Sequence, residues 1–178
     1  MRLIHGECLE EMQKLADEGI KVDAIICDPP YGTTACKWDS VIDLGRMWER
    51  LKQVRKENSP VVLFSAEPFG SVLRSSNIKE FKNNWIWEKN LKTGNLNARR
   101  MPMGGHEVID IFYKKPPTYN PQKRKRTTEV KAGNKKNSKT TVYGEQKEFY
   151  VDRQSDMINP DTVIRGIKCV HNLSLIHI

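Results

Sequence analysis

The stretch DAIICDPPYGTTACKWD, residues 23–39, decides how this chain is read. Within VDAIICD (22–28) the apolar residues occupy both alternating faces, as in a parallel strand buried inside a sheet. That strand runs directly into Asp28, Pro29, Pro30 and Tyr31. Proline fixes φ and has no N–H, so the pair stiffens the chain and leaves carbonyl oxygens without local donors. In open α/β sheets ligands sit beyond the carboxyl ends of the strands, which is where this corner falls. It offers the Asp28 carboxylate and the adjacent main-chain carbonyls as acceptors, with the Tyr31 ring one residue further on. Acceptors for an amino group beside a ring to stack on are what the exocyclic NH2 of a planar base requires. The plainer alternative is a strand ended by a proline turn, with Asp28 satisfying a local N–H and Tyr31 covering the core. Average residue usage produces such a four-residue match by chance in roughly one chain in a hundred of this length. Placement at the end of a buried strand makes the coincidence rarer.

Working outward, RLIH (2–5) reads as a strand and ECLEEMQKLADEG (7–19) as a helix with Cys8, Leu9, Met12, Leu15 and Ala16 on one face. Downstream, VIDLGRMWERLKQVRKEN (41–58) sets Ile42, Met47, Leu51 and Val54 on one side of a helix, and PVVLFSA (60–66) is a third buried strand. A shorter helix over 69–77 and the strand NWIWEK (84–89) follow. EVIDIFYK (107–114) alternates enough to predict an edge or half-exposed strand. Strands alternating with helices predict an α/β protein with an open parallel sheet and crossover helices.

The composition changes after residue 115, where KKPPTYNPQKRKRTTEVKAGNKKNSKTT has no apolar period and predicts an irregular insertion over 116–143. Between Lys114 and Lys139 ten basic residues face one acid, Glu129, so this segment alone exceeds the formal charge of +8 carried by all 178 residues. Excess charge gathered in one stretch points to a polyanionic partner, the alternative being a solvated loop. The segment 144–178 holds one further strand pattern, TVIRGIKCV. The four cysteines show no C-x-x-C spacing, so neither a metal site nor a disulfide framework is signalled and they read as reduced thiols. No run approaches the roughly 18 apolar residues needed to cross a bilayer, and the expectation is a soluble, intracellular protein.

HGECLEEM, VDAIICDPPYGTTACKWD, PVVLFSAEPFGS and NWIWEKN with EVIDIFYKK together resemble the first half of a DNA amino-methyltransferase of the circularly permuted class, over about residues 1–120. In that class the catalytic motif precedes the cofactor-binding glycine motif. The resemblance implies a partial Rossmann-like sheet, the catalytic half in 1–115, and S-adenosylmethionine as cofactor. It implies double-stranded DNA as partner and a phage or restriction-associated enzyme of a bacterial or phage-infected cytoplasm. Asp at the head of the motif implies adenine N6 ahead of cytosine N4. Asp28 and the Pro29 carbonyl would accept from the amine of a flipped base, Pro30 would stiffen the corner and Tyr31 would stack on the base. Gly6 and Glu7 correspond to the loop touching the cofactor's adenine, with Asp28 beside it. The family usually has Asp where this chain has Glu7, and a capped helix start is the alternative there. Ser65 and Glu67 close the third strand beside the expected pocket. Trp38, Arg99 and Arg100 lie on loops that could meet DNA, and Lys123, Arg124, Lys125 and Arg126 form the densest part of the basic stretch.

One feature of the family pattern is missing. No two glycines are separated by a single residue, so the F-x-G-x-G cofactor loop has no counterpart, and MGGH (103–106) precedes a strand instead of following one. The segment LSLIHI (173–178) resembles a translated adapter tail, and the reading expects a truncated gene product with little activity of its own. Two other classes stay open: a non-catalytic nucleic-acid-binding protein on the same scaffold, and an enzyme whose amine substrate is RNA or a protein glutamine.

Overall fold

Short parallel strands at Ile25–Cys27 (β1) and Val61–Ser65 (β2) form the start of the sheet, with Ile25 opposite Val61 and Cys27 opposite Leu63. The computed structural model describes residues 2–127 and 156–167, which divide into a unit of 2–118 with 162–167 and a unit of 119–127 with 156–161. In the first unit, helix α1 (Cys8–Asp17) precedes β1, α2 (Leu44–Val54) crosses from β1 to β2, and α3 (Phe69–Ser76) follows β2. The long strand β3 (Phe81–Thr93) and β4 (Gly104–Phe112) complete its central part. In the second unit β5 (Arg124–Lys125) pairs antiparallel with β6 (Met157–Ile158). Finally β7 (Val163–Ile164) lies parallel to β3, giving the five-stranded order β1-β2-β4-β3-β7.

The helices start where side chains satisfy their free N–H groups: Glu7 accepts from the Glu10 amide and Asp43 from the Arg46 amide, both at 2.9 Å. On α2, Met47, Trp48, Leu51 and Val54 are buried, positions that fall on one side of a 3.6-residue helix. Met47, Trp48 and Leu51 pack with Leu9, Phe69, Leu73, Val61, Leu63 and Phe112 in one core. Each large apolar side chain so buried contributes about 1.5–3 kcal/mol. The Trp48 indole donates to Ser76 Oγ at 2.8 Å, tying α2 to the end of α3. On the sheet's other face, Phe64 meets Trp87 edge-on with ring centres 6.3 Å apart.

The structure departs from the sequence reading in four places. The strand expected to be buried inside the sheet, β1, is at its edge among the described residues, paired on one side only, and Ile26 is 71% exposed. The sheet is mixed: β4 runs antiparallel to both β2 and β3. No crossover helix separates β3 from β4, only a connection with a 3-10 turn at Asn95–Asn97, and short connections favour antiparallel neighbours. The strand expected at an edge, β4, is interior, and Ile109, Asp110, Ile111 and Phe112 are all buried. Residues 2–5 form no strand and are exposed, Leu3 to 85%, because no strand among the described residues pairs with them. Of the expected basic insertion, residues 128–143 lie outside the described residues, as does the tail 173–178.

Candidate active site

Asp28 stands immediately after β1, at the end of the sheet where the parallel strands finish, and it is exposed. Pro29 behind it is buried and Pro30 half-buried, so the stiff pair is anchored on one side while the carboxylate faces solvent. The Tyr31 hydroxyl donates to Asp28 Oδ1 at 2.5 Å. The Tyr31 ring lies on that of Phe69, the first residue of α3, with centres 5.4 Å apart and planes 23° from parallel. Burial, and next the hydrogen bond to Asp28, push the Tyr31 phenol far above its ordinary value of 10.0, so it is a donor throughout the working range. Burial likewise pushes the Cys27 thiol up to about 11, with the charges of Cys8 and Asp28 adding to it. Cys27 is therefore a neutral thiol at neutral pH and a poor nucleophile.

The loop after Tyr31 folds back on a single carboxylate. The Gly32, Thr33 and Thr34 amides donate to Asp39 at 2.8, 2.9 and 2.6 Å. Gly32 has φ +68, and a Cβ there would lie 2.9 Å from Val41 Cγ2, so the turn requires glycine. Hydrogen bonds from the Thr34 side chain, then from the Gly32 amide and its neighbours, hold the Asp39 carboxyl down to about 2.

At the end of β2, Ser65 is fully buried and donates to Asp110 Oδ2 at 2.8 Å. Arg74 on α3 reaches both Asp110, at 3.3 Å, and Glu67. Glu67 also accepts from the Ser71 amide at 3.1 Å and the Ser71 hydroxyl at 2.7 Å. Ser65 and Glu67 thus brace the β2–α3 turn that carries Phe69.

Asp28, Pro29, Pro30 and Tyr31 stand together at the end of β1, joined by the Tyr31 hydroxyl's hydrogen bond to Asp28. Glu7 is engaged as the α1 cap, and its other oxygen accepts from the Cys8 thiol at 3.5 Å. A Cβ on Gly6 would lie 2.6 Å from Glu11 Oε1. Trp38 is 60% exposed, and Arg99 and Arg100 are exposed in the β3–β4 connection. Lys123, Arg124, Lys125 and Arg126 belong to the second unit, where Arg124 pairs with Asp161 at 2.7 Å. Asp39, Phe69 and Arg74 were not anticipated. No local pattern marks Asp39, because it acts on amides five to seven residues back and only the closed loop shows it.

A cavity of about 350 Å³ lies at the opposite end of the sheet, lined by Lys52, Arg55, Lys56, Glu57 and Lys114. Three of its cations are matched by carboxylates: Arg55 with Glu80 at 2.6 Å, Lys56 with Asp23 at 2.5 Å, and Lys114 with Glu57, which also pairs with the neighbouring Lys115. Lys52, in the last turn of α2, complements the helix's C-terminal dipole. This is an ion-pair cluster remote from the Asp28 corner. Among the described residues no helix is long and apolar enough to cross a membrane, and no group of three or more His, Cys, Asp or Glu is placed to hold a metal ion.

Helices and strands in this order define a mixed α/β class built on an open five-stranded sheet. Two solved structures share it. The M1.HpyAVI-SAM complex is 22% identical over 71% of this chain and 62% of its own, with a TM-score of 0.51. M1.HpyAVI is 20% identical over 70% of this chain and 60% of its own, with a TM-score of 0.50. The chain therefore spans about three fifths of the length of each. No protein-family model and no curated protein sequence matches this chain.

Proposed function

We propose that this chain is the catalytic part of a DNA methyltransferase that transfers a methyl group to the exocyclic amine of a flipped base, adenine N6 before cytosine N4. The observation that carries the reading is the exposed Asp28 carboxylate on a proline-stiffened corner at the carboxyl end of β1, with the Tyr31 ring beside it. An adenine amine is a poor nucleophile because its lone pair is delocalised into the ring. In this reading one amine N–H donates to Asp28 and the other to the Pro29 carbonyl, which localises the lone pair and aims it. Asp28 Oδ1 already accepts from Tyr31, leaving Oδ2 for the substrate. One face of the Tyr31 ring rests on Phe69, and the other receives the base. Positioning and electrostatics carry the step, with no covalent enzyme intermediate.

S-adenosylmethionine is the methyl donor of the reading and supplies an electrophilic methyl group. The Gly6–Cys8 turn lies near the end of β1, close enough for Cys8 to act on Cys27. Both Glu7 oxygens are engaged there, and the cavity stands at the other pole. In this reading the described residues supply the amine-holding side of the site, and turnover is assigned to the whole protein.

Trp38, Arg99, Arg100 and the Lys123–Arg126 run are assigned to DNA. Replacing Lys123, Arg124, Lys125 and Arg126 together by glutamine is expected to weaken binding to all duplexes alike. The slope of log affinity against log salt should fall by up to about 3.6, at roughly 0.9 for each phosphate no longer neutralised. An unchanged slope removes these residues from the interface.

A non-catalytic DNA-binding role is the second reading, favoured by the missing G-x-G pair. Expressing the complete gene and analysing the nucleosides of digested plasmid DNA separates the two. N6-methyladenine is expected; N4-methylcytosine corrects the base, and unmodified DNA favours the second reading.

A further inference from the structure

We infer that Asp39 is a positioning residue for the Asp28–Tyr31 corner, acting through the main chain of residues 32–34. The corner is stiff on its upstream side because Pro29 and Pro30 fix it there. Nothing of that kind follows Tyr31, where the chain passes through glycine and two threonines. Asp39 supplies the missing restraint. Three consecutive amides converge on its carboxylate, beginning with Gly32 at 2.8 Å, whose N–H belongs to the peptide plane joining it to Tyr31. Fixing that plane fixes the direction in which Tyr31 leaves the backbone, and so the seat of its ring on Phe69 and of its hydroxyl on Asp28. The loop closes on itself: the Asp39 amide donates to the Cys36 carbonyl at 3.0 Å and the Cys36 amide to Thr34 Oγ1 at 3.3 Å. Asp39 is only 8% exposed, whereas its neighbour Trp38 is turned outward, so the restraint faces inward and the aromatic stays on the surface. With its carboxyl held near 2, Asp39 binds the amides as an anion at every working pH.

The inference rests on the reading of Asp28 and Tyr31 as the amine-holding pair, and its test keeps the two apart. Asp39→Ala removes the acceptor of all three amides, and Asp39→Asn retains one carbonyl oxygen. In the chain itself, Asp39→Ala is expected to lower hydrogen-exchange protection of the Gly32, Thr33 and Thr34 amides at least tenfold. Ionisation of the Tyr31 phenol, assigned by difference from Tyr31→Phe, should move back toward 10. In the whole protein, kcat should fall about 10–100-fold with KM for DNA within about twofold, as expected when a reacting group is misplaced by an ångström or so. Asp39→Asn should fall between wild type and alanine. The inference is overturned if alanine leaves kcat within twofold, if the amides lose protection while the Tyr31 titration stays put, or if the kcat of both variants merely tracks their loss of thermal stability. A wild-type protein that methylates no DNA sinks the amine-holding reading instead, and the exchange and phenol measurements still decide whether Asp39 sets Tyr31.

Discussion

Replacing Asp28 by alanine is expected to lower methyl transfer by the whole protein about 10³-fold while leaving its affinity for duplex DNA within about twofold. The asymmetry follows from where the residue stands. Asp28 is exposed at the rim and packs against nothing in the core, so its loss leaves the scaffold intact. Its proposed contact matters most when the amine nitrogen becomes tetrahedral, and interactions made in the transition state appear in kcat. Removing one well-placed polar group of this kind typically costs 10²–10³-fold in kcat. Asp28→Asn, which keeps one carbonyl acceptor, should retain more activity than alanine. Parallel loss of affinity and kcat would instead make Asp28 a DNA-binding residue.

Arg74→Met is expected to destabilise the fold by about 3 kcal/mol at neutral pH, since it strips a fully buried carboxylate, Asp110, of its cation. Ser65 would remain as its hydrogen-bond donor. The effect has a definite sign with pH. Burial holds the Asp110 carboxyl above its ordinary 3.8, with Ser65 and Arg74 pulling it back. The folded state therefore binds this proton more tightly than the unfolded chain, and stability falls as pH rises from 3.8 through the raised folded value. Without Arg74 the folded value climbs further. The loss relative to wild type should be full at neutral pH and shrink as the pH is brought down toward 3.8, where Asp110 is protonated in the variant. Urea midpoints at the two pH values read this directly. Arg74→Met combined with Asp110→Asn should recover much of the loss, because contacting residues do not add. An equal loss at both pH values would assign the effect to packing of the Arg74 stem.

The corner was legible because its physics is local. An apolar run of strand length followed by two prolines marks a strand end, and the face of α2 follows from the spacing of Met47, Leu51 and Val54. What stayed hidden depends on partners distant in sequence. Asp110 contributes to the alternation that makes 107–114 read as an edge or half-exposed strand, yet it is matched across the sheet by Ser65 and from α3 by Arg74. Glu7 reads equally well as a ligand contact or a cap, and only the 2.9 Å hydrogen bond from the Glu10 amide shows its present use. RLIH has the composition of a strand but finds no pairing partner among the described residues, and a strand without a neighbour does not form.

The central claim, that Asp28 takes the amine of an extruded base, is tested most directly by a crystal structure of the whole protein with a duplex containing its target base. The account predicts one Asp28 carboxylate oxygen within about 2.7–3.2 Å of the exocyclic nitrogen, the Pro29 carbonyl on the amine's other hydrogen and the Tyr31 ring against the base. A base extruded into a different pocket, with Asp28 touching only the Tyr31 hydroxyl and solvent, would contradict it.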